Sequence, residues 1–328
     1  GIRDFCLSRG LGDVYKRQVS RVKILIGILS SLILVTNTLI LAVLMIPLGV
    51  IKFLIPLKTL RASFTKIIIK IGELWISVNS SWVIYLHKPH IEITGKENLN
   101  GDSWFLSTSN HQSAADIFIV QYITNKKIPM LKFFIKYELI YVPVIGICWW
   151  ALDMPFLKRY TQKQIKKNPK LKGRDYKKMK KSLEHYSLHP VSIFSYAEGT
   201  RFTKKKHSLQ KSEYANLLKP KEGGLAIALS NINKIKELID ITIIYDSDNM
   251  GFWNYLCGNI KNIKVFISKI EIPSKYLTEN LIKSEELRSD FKLWLNNVWK
   301  DKDVLTVSYT HLTLPTKRMC RSRWSPYH

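Results

Sequence analysis

From Ile24 to Ile51 the chain carries no charged residue, and the run ILIGILSSLILVTNTLILAVLMIPLGVI is longer than the roughly 20 residues needed to cross the hydrocarbon of a bilayer. A secretory signal peptide has a shorter apolar core, about 7 to 15 residues, followed by a small-residue cleavage site. No such site follows here, so the run is expected to remain as a membrane helix. A second apolar stretch, Ile67 to Leu86, carries Trp75, Trp82 and Tyr85, side chains that favour the headgroup boundary, and it is expected to lie at or dip into that boundary. Arg21 and Lys23 precede the first run, and Lys52, Lys58, Arg61, Lys66 and Lys70 follow it, so basic residues do not orient it. Pro47 allows a second arrangement, a hairpin with both ends on one side. Residues 19–88 are thus expected to anchor the chain as a helix or a hairpin.

The charge points to an anionic partner. Lys and Arg number 51 against 25 Asp and Glu, a net charge of +26, which suits nucleic acid, an anionic membrane surface or phosphorylated ligands. Residues 1–18 and 307–328 lack helix or strand periodicity and are expected to be extensions foreign to the domain. They hold only a small part of the excess, so the basic character belongs to the body. It peaks from Lys158 to Lys181, where Asp175 is the one acid. That stretch reads either as a solvated face or as a dock for anionic lipid, worth about 1 kcal/mol per basic residue close to the surface. A nucleic-acid-binding protein would account for the charge but not for the membrane run, and no binding module is recognisable, so no nucleic-acid partner is expected. Cys6, Cys148, Cys257 and Cys320 have no zinc or redox spacing, and neither a metal site nor a cofactor is expected.

After Pro89, short apolar runs alternate with longer amphipathic ones, the texture of an α/β domain over residues 89–306. Strands are expected near Ile91–Thr94, Trp104–Ser109, Val191–Tyr196, Ile239–Tyr245 and Ile263–Ile272. Helices are expected near Ser113–Ile123, Tyr176–Tyr186, Gly224–Leu238 and Ser284–Trp299.

Three groups of residues carry chemistry. In Asn110-His111-Gln112-Ser113-Ala114-Ala115-Asp116, five residues of regular helix would separate His111 and Asp116 by about 140° around the axis. The two can meet only if His111 sits in the turn before the helix and Asp116 in its first turn. Asp116 would then hold one imidazole tautomer and leave the other ring nitrogen to take a proton from a hydroxyl. The same residues also fit a capping box, Ser113-x-x-Asp116, and the two roles are compatible. The second group, Glu198-Gly199-Thr200-Arg201, follows an apolar strand. Such a turn exposes backbone N–H groups beside a guanidinium, a phosphate-binding arrangement, although an ordinary surface turn reads the same way. The third is Lys136-Tyr137-Glu138-Leu139 with Pro143, Gly146, Phe156 and Arg159, which alone reads as an apolar helix and loop.

In that order, NHQSAAD, KYELIYVPVIG with PFLKR, and AEGTRF resemble the PlsC-type lysophosphatidic acid acyltransferases, and HSLQKSEYANLLKPKEGG is similar to a bacterial inner-membrane branch. The resemblance spans about Pro89 to Tyr245. It implies a sheet flanked by helices that transfers an acyl group from acyl-CoA or acyl carrier protein to the sn-2 hydroxyl of 1-acyl-glycerol-3-phosphate, at the cytoplasmic face of the inner membrane. It also implies His111 as general base, Asp116 as its partner, and Glu198, Gly199, Thr200, Arg201, Lys136 and Arg159 as the acceptor-phosphate site. Ala197 and Asp240 stand where the family often has Pro, which leaves other lysophospholipid acceptors, such as lysophosphatidylglycerol, open. A lipid-binding membrane protein without catalysis is the alternative from another class. With no G-x-S-x-G elbow and no Cys near a His in sequence, direct attack by the acceptor is expected, and N–H groups at the start of the helix after His111 are candidates for the oxyanion.

Overall fold

The computed structural model describes residues 2–157, 179–180, 182–183, 186, 189–246 and 250–312. Helix α1 runs from Ile2 to Leu54 and α2 from Lys58 to Trp82, continued by a π-helical turn over Val83–His87. The reversal falls at Ile55-Pro56-Leu57, not at Pro47, through which α1 continues. Pro56 has no N–H and disfavours helical geometry at Ile55, while Leu57 is extended, so helix propagation stops there. Pro47 forfeits one bond within a helix held by packing on either side, at Ala42, Met45 and Leu48.

The two helices pair through polar groups inside an apolar hairpin. Asn37 Nδ2 donates to Asn79 Oδ1 at 2.9 Å, and Trp75 Nε1 donates to Thr38 Oγ1 at 3.0 Å. Arg21–Leu54 and Lys58–His87 are each long and apolar enough to cross a membrane. Leu25, Val43, Phe53 and Leu54 are exposed on the outer face, an apolar surface of the kind that lipid covers. The inner face packs on the short helix α4, Ile145–Ala151. There Gly49 is so close to Ala151 that an added Cβ would lie 2.6 Å from the alanine Cβ. Lys52 locks the contact, donating to Ala151 O at 2.5 Å and pairing with Asp153 at 2.8 Å.

The body is a six-stranded sheet. Its strands are β1 His90–Thr94, β2 Phe105–Ser109, β3 Leu131–Phe133, β6 Ser192–Ser195, β7 Glu237–Tyr245 and β8 Asn262–Glu271, in the order β1-β8-β7-β2-β6-β3. All neighbours are parallel except β7 and β8. Two short strands, β4 Ile135–Lys136 and β5 Phe156–Leu157, pair separately. Every residue of β2 is buried, as expected of a strand covered on both faces. Leu106, Ile193 and Leu238 face one core, and Phe105, Phe194 and Ile239 face the other, the two-residue alternation of a strand. The first core is covered by α6, Gly223–Asn231, and α8, Glu285–Leu312. The second is covered by α3, Asp116–Thr124, with α7, Phe252–Leu256, and residues of the hairpin.

The five expected strands are present, and β3, β4 and β5 are additional. The helix expected over Gly224–Leu238 stops at Asn231, and Leu238 belongs to β7. Ile232, Ile235 and Leu238 repeat at three-residue spacing, which mimics a helix, and β7 is buried on both faces, which hides the strand period. The last helix extends beyond Trp299 to Leu312. Most of the helix expected over Tyr176–Tyr186, and most of the basic stretch Lys158–Lys181, lie outside the described residues.

Candidate active site

The site lies at the C-terminal ends of β2, β6 and β7. Beyond Ser109, the Asn110 side chain continues the pairing with β7, donating to Ile243 O and accepting from Ile243 N, each at 2.8 Å. This two-way bond holds the loop that follows, and α3 begins only at Asp116. His111 therefore stands in the strand-to-helix turn, the placement that lets it reach Asp116.

His111 Nδ1 lies 2.8 Å from Asp116 Oδ2. A carboxylate only accepts, so Nδ1 carries the hydrogen and the lone pair is on Nε2, which makes no hydrogen bond among the described residues. The same Oδ2 accepts from Gln112 N at 2.7 Å and Ser113 N at 2.8 Å, and Ser113 Oγ accepts from Ala115 N at 3.1 Å. The carboxylate half of the expected capping box and the His partnership thus share one oxygen, while Asp116 N donates to Ser113 O and the N-cap position falls on Ala115. Asp116 Oδ1 accepts from Tyr245 Oη at 2.5 Å. Burial, with the adjacent Asp116 carboxylate, holds the Tyr245 phenol well above its ordinary value, so it stays a donor. Three of the N–H groups expected to serve an oxyanion, those of Gln112, Ser113 and Ala115, are already committed to these side chains.

The imidazole stacks on the Tyr196 ring, centroids 4.0 Å apart and planes at 14°. Tyr196 opens the turn after β6, closed by Gly199 N donating to Tyr196 O at 2.9 Å, with Gly199 at φ 69°, which glycine adopts without strain. The two loops are joined by Phe202 N donating to His111 O at 2.7 Å. Lys206, on helix α5 (Lys204–Gln210), donates to Thr200 Oγ1 at 2.6 Å and Arg201 O at 3.0 Å. The Arg201 guanidinium is exposed and makes no hydrogen bond or ion pair among the described residues.

A cavity of about 700 Å³ joins these groups. Its polar end includes His111, Lys136, Gly199, Thr200 and Arg201, and its apolar wall combines Leu34, Leu41, Ala42 and Met45 of α1 with Phe133, Leu152 and Phe194. The hairpin is therefore part of the site wall as well as an anchor. Lys136 is exposed, 3.8 Å from Glu138. Arg159 lies outside the described residues. Glu198 does not line the cavity: it is 0% exposed beneath the turn, and burial pushes its carboxyl up to about 8. The His111 N–H, the Lys302 ammonium and the Leu218 N–H oppose that shift, yet none closes to hydrogen-bond geometry on either carboxyl oxygen. Among the described residues no three His, Cys, Asp or Glu side chains gather as a metal-binding set.

Tyr196, Tyr245 and Lys206 lie outside the groups that the sequence marks as carrying chemistry, and Asn110, inside the first group, has no role assigned there. Tyr196 and Tyr245 stand at the ends of expected strands next to the motifs. Their contacts with His111 and Asp116 have no local signature.

An α/β domain with a carboxylate-held histidine at the end of a parallel strand, beside a Gly-Thr-Arg turn at the polar end of a largely apolar cavity, is the class defined here. Residues 90–245 match the family model described as Acyltransferase. It is similar to the 1-acyl-sn-glycerol-3-phosphate acyltransferase delta of Homo sapiens, 26% identical over 230 residues that make up 66% of this chain and 54% of the relative. The Bos taurus protein of the same name is 26% identical over 187 residues, 53% of this chain and 44% of its own. This chain thus spans about half the length of those relatives. Among solved structures, the 1-acyl-sn-glycerophosphate (LPA) acyltransferase PlsC from Thermotoga maritima aligns with 84% of this chain and 96% of its own, at 16% identity and a TM-score of 0.44.

Proposed function

We propose that the chain transfers an acyl group from acyl-CoA or acyl carrier protein to the sn-2 hydroxyl of 1-acyl-glycerol-3-phosphate, giving phosphatidic acid. The observation that carries this reading is the opening of His111, with its Nε2 unoccupied, onto a cavity that also holds Lys136 and Arg201. Nε2 takes the acceptor's hydroxyl proton as the oxygen attacks the thioester carbon. The tetrahedral intermediate then collapses, the C–S bond breaks, and the imidazolium returns the proton to the departing sulfur. Asp116 supports the transient positive charge, and a base of this type typically contributes about 10² to 10⁴ in rate. The apolar wall accommodates acyl chain, while Arg201 and Lys136, with Thr200 and the Gly199 turn, hold the acceptor phosphate. Glu198 contributes from beneath the turn, and Arg159 is kept as a further cation of the site.

In this reading the hairpin and the Lys158–Lys181 stretch seat the protein on the cytoplasmic face of the inner membrane. The names of the relatives favour lysophosphatidic acid as acceptor. The test is to offer the purified protein, in lipid vesicles, labelled acyl-CoA or acyl carrier protein with lysophosphatidic acid or lysophosphatidylglycerol. Preferred labelling of phosphatidic acid is expected. Labelling of phosphatidylglycerol alone would move the headgroup, and no transfer to either would leave a lipid-binding protein.

A further inference from the structure

Helix α5 is fixed at both ends. Thr203 is extended and its hydroxyl accepts from Lys206 N at 3.2 Å, so the helix starts at Lys204. His207 Nε2 donates to Tyr214 O at 2.6 Å, and Tyr214 is buried, which pins the helix to the body. Lys204, Lys205 and Lys206 fill the first turn, the positive end of the helix dipole, where cations are disfavoured. Helix stability therefore does not account for Lys206, whereas its ammonium contacts do. Nζ reaches back to the preceding turn, donating to Thr200 Oγ1 at 2.6 Å and Arg201 O at 3.0 Å. Thr200 and Arg201 line the cavity and Lys206 does not, so the ammonium bears on the cavity through them. The next residue of the same segment, Phe202, donates its N–H to His111 O at 2.7 Å. Residues 200–202 are thus tied to α5 on one side and to the His111 loop on the other.

An ammonium only donates, so Thr200 Oγ1 is the acceptor of its bond with Lys206. The Thr200 hydroxyl hydrogen is left over, with no acceptor among the described residues. A threonine without such a neighbour can turn that hydrogen onto a backbone carbonyl instead. We propose that Lys206 is a positioning residue of the acceptor site: its ammonium occupies the Thr200 oxygen from behind and leaves the hydroxyl hydrogen to a phosphate oxygen of the acceptor in the cavity. This rests on the function proposed above, in which the turn carrying Gly199, Thr200 and Arg201 holds that phosphate. Lys206 and Thr200 then work as one unit, and losing either member loses the same hydrogen bond. A lysine that only braced α5 would act independently of the Thr200 hydroxyl.

The experiment is a double-variant cycle of Lys206→Met and Thr200→Val in the full chain in lipid vesicles, with acyl-CoA and lysophosphatidic acid varied separately. Lys206→Met keeps the stem and the N–H that Thr203 caps, and Thr200→Val keeps the side-chain shape. Each single variant should raise the KM for lysophosphatidic acid about tenfold, the size of a hydrogen bond to a charged group, with kcat and the acyl-CoA KM within about threefold of wild type. The double variant should be within about twofold of the worse single one. Thr200→Ser keeps the hydroxyl, so it should stay near wild type, and Lys206→Met should cost as much in its presence as in wild type. Effects that multiply in the double variant, an unchanged acceptor KM in Lys206→Met, or a change confined to kcat or to acyl-CoA overturn the proposal. If wild type transfers no acyl group to any acceptor, the function proposed above fails, and the same cycle is read from binding of glycerol 3-phosphate, followed by the broadening of its phosphorus NMR signal. Weakening common to both single variants and not compounded in the double one upholds the Lys206 and Thr200 unit, and compounded or absent weakening overturns it.

Discussion

The ring of His111 lies flat on that of Tyr196, 4.0 Å between centroids, so the imidazole is held from its face by the turn after β6 and from its edge by Asp116. Ring pairs of this kind are worth about 0.5 to 1.5 kcal/mol beyond the area they bury. Tyr196→Leu should lower kcat about three- to tenfold with little change in acceptor KM. Tyr196→Phe should stay near wild type, because the Tyr196 hydroxyl makes no hydrogen bond among the described residues. Steady-state kinetics on both variants check this.

Arg201 lines the cavity with its guanidinium exposed and without a hydrogen bond or ion pair among the described residues. Its forked guanidinium can hold two phosphate oxygens at once, which a lysine cannot reproduce. Arg201→Lys should raise the KM for lysophosphatidic acid about tenfold and leave the acyl-CoA KM unchanged. Varying the two substrates separately tests the assignment, and a rise confined to acyl-CoA would place the donor at this turn instead.

Much of the fold was legible because β-branched runs bounded by polar turns mark strands, and the uncharged stretch before Lys52 is long enough for a membrane-type helix. His111 and Asp116 were legible for the same local reason: five residues and one turn separate them. Tyr245 is 129 residues from Asp116 in sequence, so no short-range pattern announces their contact. The cavity wall was hidden for a related cause. Residues of α1 that read only as lipid-facing, such as Ala42 and Leu41, turn inward because Asn37 and Thr38 fix how α1 rotates against α2.

Ala42 is buried in that wall, and a larger side chain there should shorten the space open to an acyl chain. Ala42→Phe is expected to shift donor preference toward shorter acyl groups, with kcat for the best short donor preserved within about threefold. A panel of acyl-CoA chain lengths reads this out. An unchanged profile would exclude this part of the cavity from acyl binding.

Glu198 also makes a prediction about stability. Unfolded, a glutamate ionises near its ordinary 4.5, whereas folded Glu198 does so only at about 8. Between those values the folded chain holds the extra proton, so the contribution is full at low pH and is lost as pH rises toward about 8. Thermal unfolding of wild type should therefore lose ground, relative to Glu198→Gln, as pH rises from about 5 to about 8. A difference between the two that is constant with pH would contradict the raised value.

The general base is tested most directly by His111→Ala, assayed for transfer from acyl-CoA to lysophosphatidic acid beside wild type in the same vesicles. The substitution leaves the hairpin, the Asp116 cap on Gln112 and Ser113, and the Arg201 turn in place. Membrane association should be unchanged and the rate should fall by at least about 10², the lower end of typical general-base effects. A rate within about tenfold of wild type would contradict the assignment of His111 as the base.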